Sequence, residues 1–176
     1  MTTLPTSHEI ARKGHWSGDA DTVTLSYEDR FLRRKVLTAG SGQRFLVDLA
    51  HTESLDHGDA FRLADGGLVE VRAAEEPLLA VSGDDLPRIA WHIGNRHTPC
   101  QIEPARLLIQ RDHVIRDMLQ RIGATVAEVD EPFTPEGGAY GHGRTHGHDH
   151  SHSHGPEGHA HEHSHEHGHQ HHSHDH

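Results

Sequence analysis

The sequence predicts an α+β protein in three parts: a β-rich first half, a second half in which strands alternate with two helices, and a tail that builds no core. Three observations predict this. Short segments of alternating apolar residues, separated by turn residues, run from Asp21 to Ala74. The hydrophobic period changes after Pro77. Residues 142–176 hold 16 of the 23 histidines and no large apolar side chain. The parts divide at residues 1–76, 77–141 and 142–176, with Glu75-Glu76-Pro77 as the boundary.

In the first part, TVTLSY, KVLTA, RFLVDL, DAFRL and GLVEVRA each read as a strand. Val23, Leu25 and Tyr27 share one face at period two, as do Phe45, Val47 and Leu49. AGSGQ and ADGG supply glycines for the hairpin turns between them. The basic cluster Arg30, Arg33, Arg34 and Lys35 reads as a solvated strand face, or as a docking patch for an acidic partner.

In the second part LLAVSG is a strand and DDLPRIAWHIGN a helix, with Asp84 and Asp85 as N-cap residues, Pro87 in the first turn and Gly94-Asn95 as the stop. CQIE and RLLIQ are short strands around a turn at Pro104. Asp112 caps a second helix whose apolar stripe is Val114, Ile115, Met118, Leu119 and Ile122, ended by Gly123. ATVAEVD closes the order βαββαβ, the ferredoxin-like sandwich in which two helices cover one face of an antiparallel sheet. Beyond Phe133 a Gly- and Pro-rich stretch leads into a low-complexity tail, expected to be disordered without metal.

Composition narrows the function. The chain of 176 residues carries a formal charge of −11, which opposes binding to a phosphate backbone, so nucleic acid is not expected as a partner. Cys100 is the only cysteine, which excludes an intramolecular disulfide and a thiolate-built zinc cage and fits a reducing compartment. The N-terminus MTTLPTSHEIARKGHW has no apolar run, and no stretch is long enough for a membrane span. These features point to a cytoplasmic protein.

The tail's chemistry must come from imidazole. Its histidines are His142, His146, His148, His150, His152, His154, His159, His161, His163, His165, His167, His169, His171, His172, His174 and His176. In His-x-His repeats on a flexible chain, neighbouring rings reach one ion, and Asp149, Glu157, Glu162, Glu166 and Asp175 add oxygen donors. Imidazole suits Ni2+, Zn2+ and Cu2+, and on affinity order alone copper wins. With an unperturbed pKa of roughly 6.5, imidazole is ligand-competent at pH 7 and protonated by about pH 5.5. A cloning tag is a contiguous histidine run, whereas this segment is long, irregular and interleaved with acids; a solvated spacer leaves so much imidazole unexplained.

WHIGNRHTPCQ, residues 91–101, holds a second candidate. His97 lies just past the first helix of the second part, on a turn that exposes its ring. From spacing alone a surface residue or a turn hydrogen bond is the simpler reading. A twofold axis beside it would supply a second imidazole from another copy. Cys100 reads more simply as a half-buried packing residue than as a thiolate ligand.

WHIGNRHTPCQIE, RDHVIRDMLQRIGATV and EPFTPEGGAYG together resemble the C-terminal half of the UreE family, urease accessory proteins that act as nickel metallochaperones. LTAGSGQRFLVDLAHTESLDHGDAF and LVEVRAAEEPLLAV extend the resemblance more loosely over roughly residues 15–142. The resemblance implies a β-rich domain that engages partners and a ferredoxin-like domain that binds metal and forms a homodimer. It implies His97 as the metal ligand at the dimer interface and His113 as an accessory ligand, although Gln110 and Arg111 stand where many relatives carry a further histidine. It implies delivery of Ni2+ to apo-urease together with the accessory proteins UreG, UreF and UreD, with no catalysis by the chain itself.

Three other functions compete with this one. A nickel or zinc storage protein shares the same ligands. A metal-dependent hydrolase through His97 and His113 lacks an HExxH motif, paired carboxylates beside a histidine pair, and a phosphate-cradling loop. A metal or pH sensor of transcription lacks a basic recognition helix.

Overall fold

The structure, a computed structural model, describes residues 3–138. Its first half contains strands β1 (Thr6–Ala11), β2 (Asp21–Leu25), β3 (Phe31–Thr38), β4 (Arg44–Ser54), β5 (Ala60–Leu63) and β6 (Leu68–Ala73). They form one six-stranded sheet in the order β2-β6-β5-β1-β4-β3. The sheet curls into a half-barrel around Val23, Leu25, Phe45, Val47, Leu49, Phe61, Val69 and Val71, all buried. The alternation that predicts β4 holds: Phe45 and Val47 are fully buried and Leu49 nearly so. The β3–β4 and β5–β6 turns use Gly42 at φ 89° and Gly66 at φ 91°, backbone that a Cβ disfavours.

The second half contains β7 (Glu75–Ser82), α1 (Leu86–Asn95), β8 (Gln101–Ile102), β9 (Leu107–Gln110), α2 (His113–Arg121) and β10 (Thr125–Pro132). This is the expected βαββαβ order, and the antiparallel sheet order β10-β7-β9-β8 is that of the ferredoxin-like sandwich. Ile89 and Ile93 of α1 and Ile115 and Leu119 of α2 pack on Leu79, Val81, Leu107 and Ile109 of one sheet face. Each such fully buried side chain contributes about 1.5–3 kcal/mol of transfer free energy. The opposite face holds Leu78 and Leu108, covered by Phe133 with the half-buried Tyr27, Ala80 and Val129. Because β7 is covered on both faces, its Leu78-Leu79 pair is apolar without alternation.

Several expectations change. Strand β1 escapes an apolar-alternation test because the residue it buries most completely is Ser7, whose hydroxyl bonds the Glu9 carbonyl. Strand β7 begins at Glu75, so Glu75, Glu76 and Pro77, read as a boundary, lie within a strand, where they pair with Pro132, Glu131 and Asp130. Val114 is half exposed and not part of the core stripe.

The basic cluster also divides. Arg33, Arg34 and Lys35 are exposed on β3, but Arg30 is only 2% exposed. Its guanidinium donates to the carbonyls of Leu55, Leu25 and Phe133 and lies over the Tyr27 ring. Tyr27 meets Phe133 edge to face at 5.4 Å, and the Tyr27 amide donates to Glu76 at 2.8 Å. Arg30 therefore joins the two halves from inside the protein, where its hydrogen bonds replace water.

Candidate metal centre

The turn carrying His97 is built by α1. Asp85 caps the helix, its carboxylate accepting from the Arg88 amide at 3.2 Å, and the buried Ile89 and Ile93 fix the helix against the sheet. At the other end Arg96 N donates to Ile93 O at 3.1 Å and His97 N to Gly94 O at 2.9 Å. The helix thus ends at Asn95, at the expected Gly-Asn stop, and His97 takes the left-handed position just beyond its cap. His97 has φ 57°, the one positive φ at a non-glycine among the described residues. Histidine tolerates this conformation better than most side chains, yet glycine is the usual occupant. His97 is exposed, and it stands at the negative end of the α1 dipole, where a bound cation is favoured.

Cys100 follows on the same loop, half-buried against the helix-covered core. Burial pushes its thiol up to about 11, and the Glu136 carboxylate acts in the same direction, so at neutral pH the sulfur is a protonated packing group. The segment after β10 returns to this loop. The Thr134 amide donates to the Gln101 side-chain oxygen at 2.8 Å, and the Glu136 amide to the Cys100 carbonyl at 2.9 Å. Residues 133–138, which precede the tail, are thereby held against the strand that follows His97.

His113 is the first residue of α2 and is exposed. There Asp112 caps the helix through the Ile115 amide at 2.9 Å, and the positive end of the helix dipole opposes a cation, the reverse of the setting of His97. His92 is half-buried, its ring in a T-shaped contact with that of Trp91. Among the described residues no three or more His, Cys, Asp or Glu side chains gather in a metal-binding group. His142 and the fifteen later histidines lie outside the described residues. The contacts of Gln101, Glu136 and Arg30 escape sequence reasoning because their partners lie 33, 36 and up to 103 positions away in the chain.

Residues 2–74 match the N-terminal domain family of the UreE urease accessory protein, and residues 68–165 match its C-terminal domain family. The chain is 71% identical to the urease accessory protein UreE of Ruegeria pomeroyi over 143 residues, covering 81% of this chain and 96% of that one. It is 67% identical to the protein of the same name from a further Ruegeria species, covering 75% of each chain. With that of Cereibacter sphaeroides it is 61% identical over 82% of this chain and 80% of the relative. Both halves of the fold and the loop bearing His97 fall inside these matches, and the chain belongs to the UreE family of urease accessory proteins.

Proposed function

We propose that the protein is a nickel metallochaperone of the cytoplasm: a homodimer holds one Ni2+ between two copies of His97 and hands it to the urease assembly machinery. The family assigns a role in urease maturation; the nickel step is our reading of the residues. The observation that carries it is His97 itself, exposed, in a left-handed conformation and at the negative end of α1. One such residue per chain makes a poor site alone, and a twofold axis makes it two ligands. Trp91, 63% exposed on the same helix, is the kind of apolar side chain a second copy would cover.

Two imidazoles leave coordination positions open, so ligands exchange, as delivery requires and a closed four-cysteine cage hinders. The sixteen tail histidines supply exchangeable ligands and a reservoir, with Zn2+ and Cu2+ as competitors. His113 enters as an accessory ligand. UreG, UreF, UreD and apo-urease are the receiving partners. The chain performs no catalysis in this scheme.

A storage protein is the second reading, favoured by the length of the tail. The two separate in a urease-positive host lacking its own copy of this protein. A tail-less chain should activate urease when nickel is plentiful and weaken when it is scarce, whereas His97→Ala should be impaired at moderate nickel with its tail intact. If truncation alone removes activation at every nickel concentration while His97→Ala behaves as the parent, the tail delivers and the roles are reversed.

A further inference from the structure

Residues 134–138 contribute no buried side chain. Phe133 is fully buried, but the chain after it makes its anchoring bonds to one place, the strand that leaves the His97 turn. Three fasteners act in series. Buried Arg30 of the first half holds the Phe133 carbonyl, the Gln101 side chain holds the Thr134 amide, and the Cys100 carbonyl holds the Glu136 amide. A chain running out of β10 needs none of the last two, since amides at a surface are as well bonded by water. Their common effect is to bring the outgoing chain to within three residues of His97.

We propose that residues 133–138 are a strap that fixes the root of the histidine tail beside the His97 turn, with Gln101 and Arg30 as positioning residues. This rests on the reading of His97 as the tight nickel site. The purpose follows from tethering. The local concentration of a tethered ligand falls roughly as the −3/2 power of linker length once the linker spans the gap. His142 follows Glu136 by six residues and Phe133, which Arg30 holds, by nine. Release of the strap back to Phe133 therefore dilutes the first tail imidazole at His97 about two-fold from length alone, and further because the root moves away from the turn.

The side chains allow a clean test. Gln101→Leu removes the acceptor for the Thr134 amide, and Gln101→Glu keeps an oxygen there. Glu136→Pro removes the amide that donates to Cys100, and Glu136→Ala keeps it. Arg30 is left intact, since truncating a fully buried guanidinium orphans three carbonyls and endangers the fold. Placement is read first, in a Cys100→Ser background that preserves the carbonyl, with a nitroxide on Gly138→Cys. The label should broaden the amide resonances of His97 and Thr98 in the parent and in Gln101→Glu, and spare them in Gln101→Leu/Glu136→Pro.

Function is read by competing Ni2+ against a chelator, on the full chain and on a chain stopped after Gly141. The affinity ratio of full to stopped chain should fall at least two-fold in Gln101→Leu/Glu136→Pro and return in Gln101→Glu/Glu136→Ala, while the stopped chain's own affinity stays constant. An unchanged ratio after placement is lost overturns the strap. So does a ratio of one in the parent, which would show that the tail adds nothing at this site. Tight binding that survives His97→Ala overturns instead the reading on which the proposal rests.

Discussion

Replacing His97 by glycine should leave the metal-free protein more stable than replacing it by alanine, while either change destroys the tight nickel site. His97 sits at φ 57°, where a side chain bearing a Cβ is strained by about 1–2 kcal/mol. Glycine relieves that strain but gains unfolded-chain entropy worth about 0.4–1 kcal/mol, so the net difference from alanine at this position is about 0.5–1 kcal/mol in favour of glycine. Alanine is the right comparator because it removes the imidazole and keeps the strain. For a chain of this size the difference corresponds to about 1–4 °C in Tm. The assay is urea and thermal unfolding of parent, His97→Gly and His97→Ala, all in the presence of a chelator. A glycine variant no more stable than the alanine variant would refute the argument that backbone strain is held at this turn for the sake of the ring.

Further expectations follow from the same structure. Removing residues 142–176 takes away no large apolar side chain, so the metal-free Tm should stay within a few degrees, while titration at pH 7 shows a loss of about three to five ions per chain at roughly three to six ligands each. The remaining tail occupancy in the full chain should fall steeply between about pH 7 and pH 5.5, as ordinary imidazole protonates. Cys100, its thiol pushed up to about 11, should react with a disulfide reagent at pH 8 about 100-fold more slowly than a free thiol, and at the free rate once urea unfolds the chain. Glu131 is held below the usual carboxylate range by Arg106, which grips it through two bonds of 2.6 and 2.8 Å. Its stabilising effect should therefore be present above the ordinary carboxyl pKa and vanish as pH falls through the lowered value, so Glu131→Gln and parent should converge in acid and in high salt.

Most of the architecture is legible in the chain because it rests on local patterns. Period two marks Phe45, Val47 and Leu49, the helical stripe marks Ile115 and Leu119, and Asp85 and Asp112 announce the two helix starts. Strand β1 is hidden because its buried position is a serine, and Arg30 is misread as surface because a buried arginine differs from a solvated one only through carbonyls far along the chain. The candidate site divides in the same way. His97 is visible as a histidine after a helix, but its left-handed backbone is not, since glycine and asparagine just before it are the commoner stop signals. The strap is invisible because backbone amides carry no residue signature.

The central claim, that His97 holds the tight nickel site and the tail holds the rest, is tested most directly by nickel titration calorimetry on the parent, on His97→Ala, and on the chain stopped after Gly141. The parent should show one tight ion per dimer followed by weaker uptake. The stopped chain should keep the tight step and lose most of the weak uptake. His97→Ala should keep the weak uptake and lose the tight step. A tight step at one ion per dimer that persists in His97→Ala would contradict the account.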